Sequence, residues 1–220
     1  MKKKQFAVIG MGRFGSSVAQ TLYKLGFEVL AMDANEDRVQ DVINLTTHAV
    51  QADSTDEDAL KALGIRNFDV VVVAIGQDIQ SSILTTLILK DMGVKTLIVK
   101  AQNELHGKVL TKIGADKVIF PERDMGQRVA HHLISPNIID FIELSPEYSI
   151  VEIVAGNDMV GKNLRELDIR ARYGCNVIAL KSSTGYMNIS PYAEDIIQAN
   201  DILVVVGKNE DLQKFEVSFS

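Results

Sequence analysis

Short apolar runs alternate with longer segments of helical periodicity along the first part of the chain. An apolar run at residues 6–9 is followed by a glycine-rich turn and by residues 16–25, whose apolar side chains recur at helical spacing. A second apolar run, at residues 27–32, ends at Asp33. This succession predicts a strand, a helix and a second strand, with an acidic side chain at the end of the second strand.

The same alternation continues to about residue 133. Four further apolar runs predict strands, and glycine or proline follows most of the elements. Strands that are apolar throughout are typical of parallel sheets covered by helices on both faces. We therefore predict an α/β fold with a Rossmann-type doubly wound parallel sheet. The further strands are expected at 48–52, 69–75, 96–100 and 118–120, and the further helices at 56–63, 80–92, 103–113 and 124–133.

The regular alternation of predicted strands and helices ends after residue 134. A short helical piece is predicted to about residue 141, and Ser145-Pro146 indicates a boundary. Beyond it we expect strands at 150–155, 176–181, 186–189 and 202–207 and helices at 163–167 and 210–216. The predicted organisation is a Rossmann-type domain at 1–134 that includes a crossover helix, a connecting segment at 135–144, and a small α+β domain at 145–220.

The composition excludes several classes of protein. No apolar run approaches the ~20 residues that a membrane-spanning helix needs, and residues 1–5 lead into a strand pattern rather than into a signal-peptide core. The single cysteine, Cys175, excludes an internal disulfide framework, so we expect a cytoplasmic protein. The formal net charge is −6, and neither part of the chain has the basic face that a nucleic-acid-binding protein needs.

A G-x-G-x-x-G motif occupies the turn after the first predicted strand. In such a turn Gly10 permits a tight bend, Gly12 lets a phosphate approach the backbone, and Gly15 lets the helix pack closely. The free N–H groups at the helix start would bind an anion. Asp33 stands where a ribose-binding carboxylate is expected, and its charge disfavours NADP. The alternative is a fold that keeps the turn without the ligand, in which Asp33 is a solvated acid.

Other candidate ligand contacts stand inside this turn or where strands end. Arg13 lies where a cation reaches a γ-phosphate, although it also suits a surface ion pair. Asp53 can accept a hydrogen bond from an adenine amino group. The alternative interpretation is that Asp53 caps a helix. Lys100 adds positive charge near the phosphates. The alternative interpretation is that Lys100 is a solvated lysine without a ligand. The full set of nucleotide contacts comprises Gly10, Gly12, Arg13, Phe14, Gly15, Asp33, Asn35, Asp53, Ser54, Ala74, Ile75, Gly76 and Lys100.

An NAD-dependent oxidoreductase is the alternative function, because the turn and the acid suit NAD as well as ATP or ADP. Against it, the second domain is small, and no His, Lys or Tyr constellation stands in a recognisable catalytic setting. The sequence has no G-x-x-x-x-G-K-[ST] loop, so we expect no nucleotide hydrolysis. A redox-sensing repressor would need a basic helix-turn-helix segment. We therefore expect a protein that is not an enzyme.

The histidines and the cysteine are predicted to be structural or surface residues. His131 and His132 are adjacent, so they point in different directions on a helix and cannot share a metal ion. His48 and His106 are isolated in the sequence. Cys175 has no neighbour in sequence that would activate its thiol, so it is expected to pack in a core.

Several longer segments resemble one known family, the RCK (regulator of K⁺ conductance) proteins. The resemblance is narrower still to the KtrA/KtrC-type cytosolic regulatory subunits of bacterial Ktr potassium uptake systems, and it covers essentially the whole chain. Residues 63–124 are more specific to this family than the glycine motif, which other dinucleotide folds share. The matching segments are FAVIGMGRFGSSVA, THAVQADSTDE, LGIRNFDVVVVAIG, IVKAQNELHGKVLTKIGAD, VIFPERDMGQRVA and NLRELDIRARYGCNVIALK.

The resemblance implies a regulatory protein that catalyses no reaction. Members of the family form homodimers that assemble into an octameric ring on the cytoplasmic side of a membrane-embedded potassium transporter. Their N-terminal domain binds ATP or ADP, and Arg13 matches a residue that helps to distinguish the two. Glu122 matches an acid at the dimer interface that takes part in a cation site, with Mg²⁺, Ca²⁺ or Na⁺ near the phosphates. From the residues alone, Glu122 is an acid at a helix start.

The resemblance also implies a second ligand, cyclic di-AMP, at a dimer interface of the C-terminal domain. A cation and an amide would contact its phosphates, and apolar side chains its bases. Without the resemblance, the basic cluster at 162–172 is expected to pair with local acids such as Glu166 and Asp168. The candidate residues for cyclic di-AMP are Arg170, Asn176, Ile178 and Pro191.

Overall fold

The structure is a computed structural model that describes residues 3–134 and 138–219. The chain divides into two compact units, Met1–Arg123 (unit 1) and Asp124–Ser220 (unit 2). Within the described ranges, no helix is both long enough and apolar enough to span a bilayer.

Unit 1 is built on a six-stranded parallel sheet with the strand order β3-β2-β1-β4-β5-β6. This is the order of the doubly wound Rossmann fold, so the predicted fold class is confirmed. The strands are β1 (Gln5–Ile9), β2 (Glu28–Asp33), β3 (His48–Gln51), β4 (Val70–Val73), β5 (Leu97–Lys100) and β6 (Lys117–Ile119). The helices are α1 (Arg13–Lys24), α2 (Glu36–Val42), α3 (Glu57–Ala62), α4 (Ile79–Asp91) and α5 (Glu104–Lys112).

Both faces of this sheet are covered. Ala7 and Ile9 of β1 pack with Met32 in one apolar cluster, whereas Val8 packs with Ala31 in the cluster on the other face. Side chains along a strand alternate between the two faces, so each strand contributes to both clusters. This double burial explains why the strands appear in the sequence as unbroken apolar runs.

The connection from β1 to α1 requires glycine for close packing. A Cβ atom at Gly15 would lie 1.8 Å from the carbonyl oxygen of Gly10 and 3.0 Å from the Cβ atom of Ala74. The backbone would have to move to relieve such a contact, so no larger residue fits there. With glycine, α1 starts immediately beside β1, and its N-terminus lies at the carboxyl end of the sheet.

Unit 2 is a five-stranded antiparallel sheet with the order β10-β9-β11-β8-β7 and helices packed against it. Its core includes Met159, Cys175 and Leu203, and the rings of Tyr173 and Phe215 meet edge to face. The strands are β7 (Ile138–Ser145), β8 (Tyr148–Val154), β9 (Asn176–Lys181), β10 (Met187–Asn188) and β11 (Ile202–Lys208). The helices are α6 (Pro121–Ile134), which contains the division between the units, α7 (Leu164–Leu167), α8 (Ile169–Tyr173) and α9 (Asn209–Ser218).

The helical piece predicted to about residue 141 is wrong, because these residues belong to β7. Strand β7 pairs antiparallel with β8. A short apolar run in a sequence is compatible with a helix or a strand, and this pairing makes it a strand. Ser145-Pro146, predicted as a boundary, is where β7 ends and the turn to β8 begins. The hydroxyl oxygen of Ser145 accepts hydrogen bonds from the N–H groups of Glu147 (3.4 Å) and Tyr148 (3.2 Å).

The domain boundaries predicted at 134 and 145 stay predictions. Residues 135–137 of the expected connecting segment lie outside the described residues, and the remainder of that segment forms β7. The division between the compact units comes earlier, between Arg123 and Asp124.

Candidate nucleotide-binding site

A cavity of about 900 Å³ opens at the carboxyl ends of the strands of unit 1. It lies between the ends of β1 and β4, where the strand order reverses, which is the usual ligand position in a doubly wound sheet. Gly15 and Asn35 are not among its lining residues. The predicted site residues that do line it are Gly10, Gly12, Arg13, Phe14, Asp33, Asp53, Ser54, Ala74, Ile75, Gly76, Lys100 and Glu122.

The glycine turn is fixed against β2 by two short hydrogen bonds. The N–H of Gly10, where φ is +95°, donates to the carbonyl oxygen of Met32 at 2.7 Å. The N–H of Met11 donates to Oδ2 of Asp33 at 2.6 Å. The turn is therefore held in place without using the N–H groups of the first turn of α1.

Helix α1 begins without a side-chain cap, because its cap residue is Gly12. The first N–H groups of a helix have no partner within it, so they remain available to an anion. In contrast, an Asn or Asp side chain caps each of α2, α3, α4 and α5. A Cβ atom at Gly12 would have no heavy atom within 4 Å, so protein packing does not require glycine at this position. A ligand that approaches the backbone at this position would require glycine.

Asp33 is buried, with 7% of its surface exposed, and is not the solvated acid of the alternative interpretation. Besides the bond from Met11, its Oδ1 accepts a hydrogen bond from the N–H of Asn35 at 2.8 Å. Arg38 approaches its Oδ2 at 3.6 Å. The side chain of Asn35 instead caps α2, accepting from the N–H of Arg38 at 3.2 Å. Asp33 thus connects the glycine turn to the end of β2 at the wall of the cavity.

Asp53 and Ser54 follow β3 and form another part of the wall. Oδ1 of Asp53 accepts hydrogen bonds from the N–H (2.8 Å) and the hydroxyl (2.7 Å) of Thr55, and these bonds lower the pKa of Asp53. The helix-cap alternative for Asp53 is wrong, because Asp56 caps α3. The hydroxyl of Ser54 lies 2.8 Å from that of Thr85 on α4.

Lys100 supplies a buried cation at the opposite end of the cavity. Its side chain is 10% exposed, its Nζ lies 5.9 Å from the centre of the Phe14 ring, and it would be 3.2 Å from a Cβ atom at Gly76. Its Nζ donates to Oε1 of Glu122 at 2.5 Å, and this bond lowers the pKa of Glu122, with a smaller contribution from the charge of Arg13. Lys100 is therefore not a solvated lysine, and the partner of Glu122 in one chain is Lys100.

Sequence reasoning missed several residues of the cavity wall. Asp78 caps α4 by accepting hydrogen bonds from the N–H (2.9 Å) and the hydroxyl (2.6 Å) of Ser81, and the bond from the hydroxyl is the main cause of its lowered pKa. These residues follow the carboxyl end of a predicted strand, which was the available signal. The missed residues are Ile9, Met11, Ser16, Ala34, Arg38, Asp41, Ala52, Gln77, Asp78, Ser81 and Gln102.

No metal centre is evident in the described part of the chain, where no group of three or more His, Cys, Asp or Glu side chains could hold an ion. His131 and His132 lie on α6, and their side chains fall outside what is described. His106 is buried, and burial lowers its pKa. Cys175 is also buried, and desolvation raises its pKa to about 11, so it is a packing residue rather than a reactive thiol.

The residues expected to bind cyclic di-AMP lie on the surface of unit 2. Asn176 and Ile178 share the exposed face of β9, Arg170 is exposed on α8, and Pro191 lies in the loop after β10. Within the basic cluster, Arg165 pairs with Glu194 at 2.5 Å. Glu166, expected as a local ion-pair partner, instead completes a capping box with Asn163 at the start of α7.

Comparison with known proteins decides the family. Residues 6–121 match the TrkA-N domain, and residues 148–220 match the TrkA-C domain. Over 214 residues the chain is 54% identical to Ktr system potassium uptake protein C of Bacillus subtilis (strain 168), covering 97% of this chain and 96% of that protein. The chain belongs to the Ktr potassium uptake protein family. It is also 50% identical to Ktr system potassium uptake protein A of the same organism, covering 98% of this chain and 97% of that protein.

Solved structures agree with this assignment at the level of the fold. The crystal structure of the GsuK RCK domain matches with a TM-score of 0.56 and 22% identity, over all of this chain and 47% of that one. The GsuK channel bound to NAD matches with a TM-score of 0.55 and 22% identity, over all of this chain and 39% of that one. The predicted membership of the RCK family, in its Ktr branch, is confirmed. Both Ktr relatives are potassium uptake proteins.

Proposed function

We propose that this Ktr family member is a regulatory subunit that senses ATP and ADP and gates a membrane potassium transporter. The observation that carries the proposal is the uncapped start of α1, which faces a cavity that also contains the buried cation of Lys100. A cavity of about 900 Å³ lies within the size range of small-molecule sites.

The phosphates would lie between the glycine turn and Lys100. Backbone N–H groups at a helix start and a buried ammonium both stabilise negative charge, and both act more strongly away from water. Gly12 leaves room for a phosphate oxygen at the backbone. The ribose would lie against Asp33, whose carboxylate retains lone pairs for hydroxyl donors, and the base against Asp53 and Ser54.

Discrimination between ATP and ADP would fall to Arg13 and the Lys100–Glu122 pair. Arg13 is exposed beside the glycine turn, and its charge already acts on Glu122. A γ-phosphate adds negative charge that a guanidinium binds and that Lys100 can bind in place of Glu122. Release of Glu122 from Lys100 would leave a carboxylate beside the phosphates, where Mg²⁺, Ca²⁺ or Na⁺ can bind.

The remaining parts of the proposal follow from membership of the family. The chain would act in the cytoplasm as a homodimer within an octameric ring, bound to a Ktr-type membrane subunit, and without catalysis. Cyclic di-AMP would bind two copies of unit 2 through Arg170, Asn176, Ile178 and Pro191. These residues form an open surface in one chain, which suits a site completed by a second copy.

A ligand panel followed by calorimetry tests the proposal. In a thermal-shift panel, ATP and ADP are expected to raise the melting temperature of the full chain more than NAD or NADH does. In titration calorimetry, Arg13→Ala should narrow the ATP/ADP affinity ratio by about tenfold, because it removes one charge-assisted contact. Arg66→Ala, an exposed arginine away from the cavity, is the matched control.

Two results would count against the proposal. Equal loss of ATP and ADP affinity in Arg13→Ala, or no loss, would remove Arg13 from γ-phosphate recognition. A marked preference for NAD over both adenine nucleotides would favour the oxidoreductase alternative.

A further inference from the structure

The hydroxyl of Ser54 is held by a residue outside the cavity. Ser54 lines the cavity wall, and its Oγ lies 2.8 Å from Oγ1 of Thr85, which is fully buried on α4. Oγ1 of Thr85 also lies 3.2 Å from the carbonyl oxygen of Ser54. Thr85 therefore contacts both the side chain and the backbone of one cavity residue.

The bonding pattern assigns the hydrogens of these two hydroxyls. A carbonyl oxygen only accepts, so the single hydroxyl hydrogen of Thr85 is donated to the carbonyl oxygen of Ser54. Within residues 3–134 and 138–219, Thr85 is the donor to this carbonyl. With that assignment, Ser54 donates the bond between the two hydroxyls. The hydroxyl hydrogen of Ser54 is consequently directed at Thr85, which does not line the cavity, so Ser54 can offer a ligand only acceptor lone pairs.

The carboxylate of the neighbouring Asp53 also offers only hydrogen-bond acceptors. Asp53 accepts from Thr55, and these bonds favour its ionised form, which has no hydrogen to donate. The side chains that follow β3 therefore present acceptors to the cavity. An exocyclic amino group, as on adenine, satisfies such a wall, whereas the 6-oxo group of hypoxanthine or guanine places an acceptor against acceptors.

We propose that Thr85 is a positioning residue that fixes Ser54 as a hydrogen-bond acceptor and thereby selects 6-aminopurine nucleotides over 6-oxopurine nucleotides. This inference rests on the proposed function, because it requires a nucleotide whose base lies at the end of β3. Thr85 acts through Ser54 and does not line the cavity.

The test compares ATP with inosine triphosphate (ITP) by titration calorimetry of the full chain. The two nucleotides share ribose and triphosphate, so their affinity ratio reports on the base alone. The wild type is expected to favour ATP by about tenfold, the usual cost of an unmatched hydrogen-bonding group. Thr85→Val, which keeps the shape and removes the hydroxyl, frees the hydrogen of Ser54 to rotate toward the cavity. In Thr85→Val the ratio of the affinities for ATP and ITP should fall about fivefold, whereas Thr85→Ser should keep the wild-type affinity ratio.

A second variant keeps the test valid if Thr85→Val is too unstable to titrate. Ser54→Ala removes the acceptor itself and should lower the affinity for ATP while leaving that for ITP nearly unchanged. A wild-type ratio near one would overturn the inference. So would a Thr85→Val variant that loses affinity for ATP and ITP by the same factor, since a purely structural role predicts that result. Absence of binding by ATP and ITP alike in the wild type would instead refute the proposed function.

Discussion

The two units differ in how their sheets place candidate ligand contacts. In unit 1 all strands run in the same direction, so the segments that follow β1, β2, β3 and β4 meet at one edge and enclose a cavity within a single chain. In unit 2 the strands alternate in direction, and the candidate residues lie on the outer face of β9 and on α8. The parallel sheet thus brings its candidate contacts together around one cavity, whereas the candidate residues of unit 2 lie on an open surface.

The largest expected effect is unit-specific unfolding by a single methyl group. Gly15→Ala places a Cβ atom 1.8 Å from the carbonyl oxygen of Gly10, and Gly156→Ala places one 2.2 Å from that of Phe219. Each should destabilise its own unit by about 3 kcal/mol, because the contact is with backbone that cannot rotate away. Hydrogen exchange resolved by peptide should show faster exchange in unit 1 for the first variant and in unit 2 for the second. Wild-type exchange in both variants would contradict the close contacts at Gly15 and Gly156.

The next effect separates ligand binding from folding within unit 1. Gly12→Ala adds a methyl group that meets no protein atom, so it should cost less than about 1 kcal/mol of stability, the loss expected at a helix cap. It should nevertheless weaken ATP binding at least about tenfold, because the methyl group occupies the space of a phosphate oxygen. Calorimetry with ATP and thermal unfolding without ligand give the two readings. Unchanged affinity in a folded variant would mean that no phosphate lies at Gly12.

A parallel substitution tests the surface of unit 2. Arg170→Ala should weaken binding of cyclic di-AMP about tenfold, because it removes a charge-assisted contact to phosphate. Arg165→Ala is the matched control, since this arginine belongs to the same basic cluster but is paired with Glu194. Calorimetry of the full chain measures both. Equal losses in the two variants, or none, would indicate that the cluster acts only through local ion pairs.

The smallest effect is a pH dependence confined to unit 1. Burial lowers the pKa of His106 in the folded state, so the unfolded chain takes up a proton more readily. The contribution of His106 to stability is complete above about pH 6.5, the ordinary value, and is lost as the pH falls toward the lowered value. Protonation would also place a hydrogen on Nδ1, which accepts from the N–H of Gln102 at 3.3 Å.

Thermal unfolding of unit 1 between pH 7.5 and 5.5 measures this dependence. His106→Gln should flatten the decline, whereas His48→Gln, at an exposed position on β3, should leave it as in the wild type. Equal pH profiles for the wild type and His106→Gln would assign the decline to other groups.

The sequence predicted unit 1 well because its signals are local. The glycine motif, Asp33 and the apolar strands each lie within a few residues of the feature they predict. Helix α2 was missed because only Val39 and Val42 of it are buried, too few to show a periodicity, although Asn35 before it is a recognisable cap. The pairing of Lys100 with Glu122 joins residues far apart in the sequence, so no local pattern indicates it.

Unit 2 was predicted less well because strand pairing decides its structure. The apolar side chains of β7 have no spacing that separates a short helix from a strand, and only pairing with β8 settles the question. Ser145-Pro146 is a turn signal where β7 leads into β8, and the domain boundary expected there stays a prediction. The strands predicted at 176–181 and 186–189 match β9 and β10, which pair as a hairpin because Thr184-Gly185 is a strong turn signal and Gly185 has a φ of +89°.

Hydrogen exchange of the full chain with and without saturating ATP tests the central claim most directly. If the first turn of α1 binds the phosphates, the amides of residues 10–16 should become strongly protected, and those of residues 74–78, which begin beside the glycine turn, should follow. Exchange at residues 10–16 that ATP leaves unchanged, with ATP shown to be bound by calorimetry, would place the nucleotide elsewhere and contradict the account.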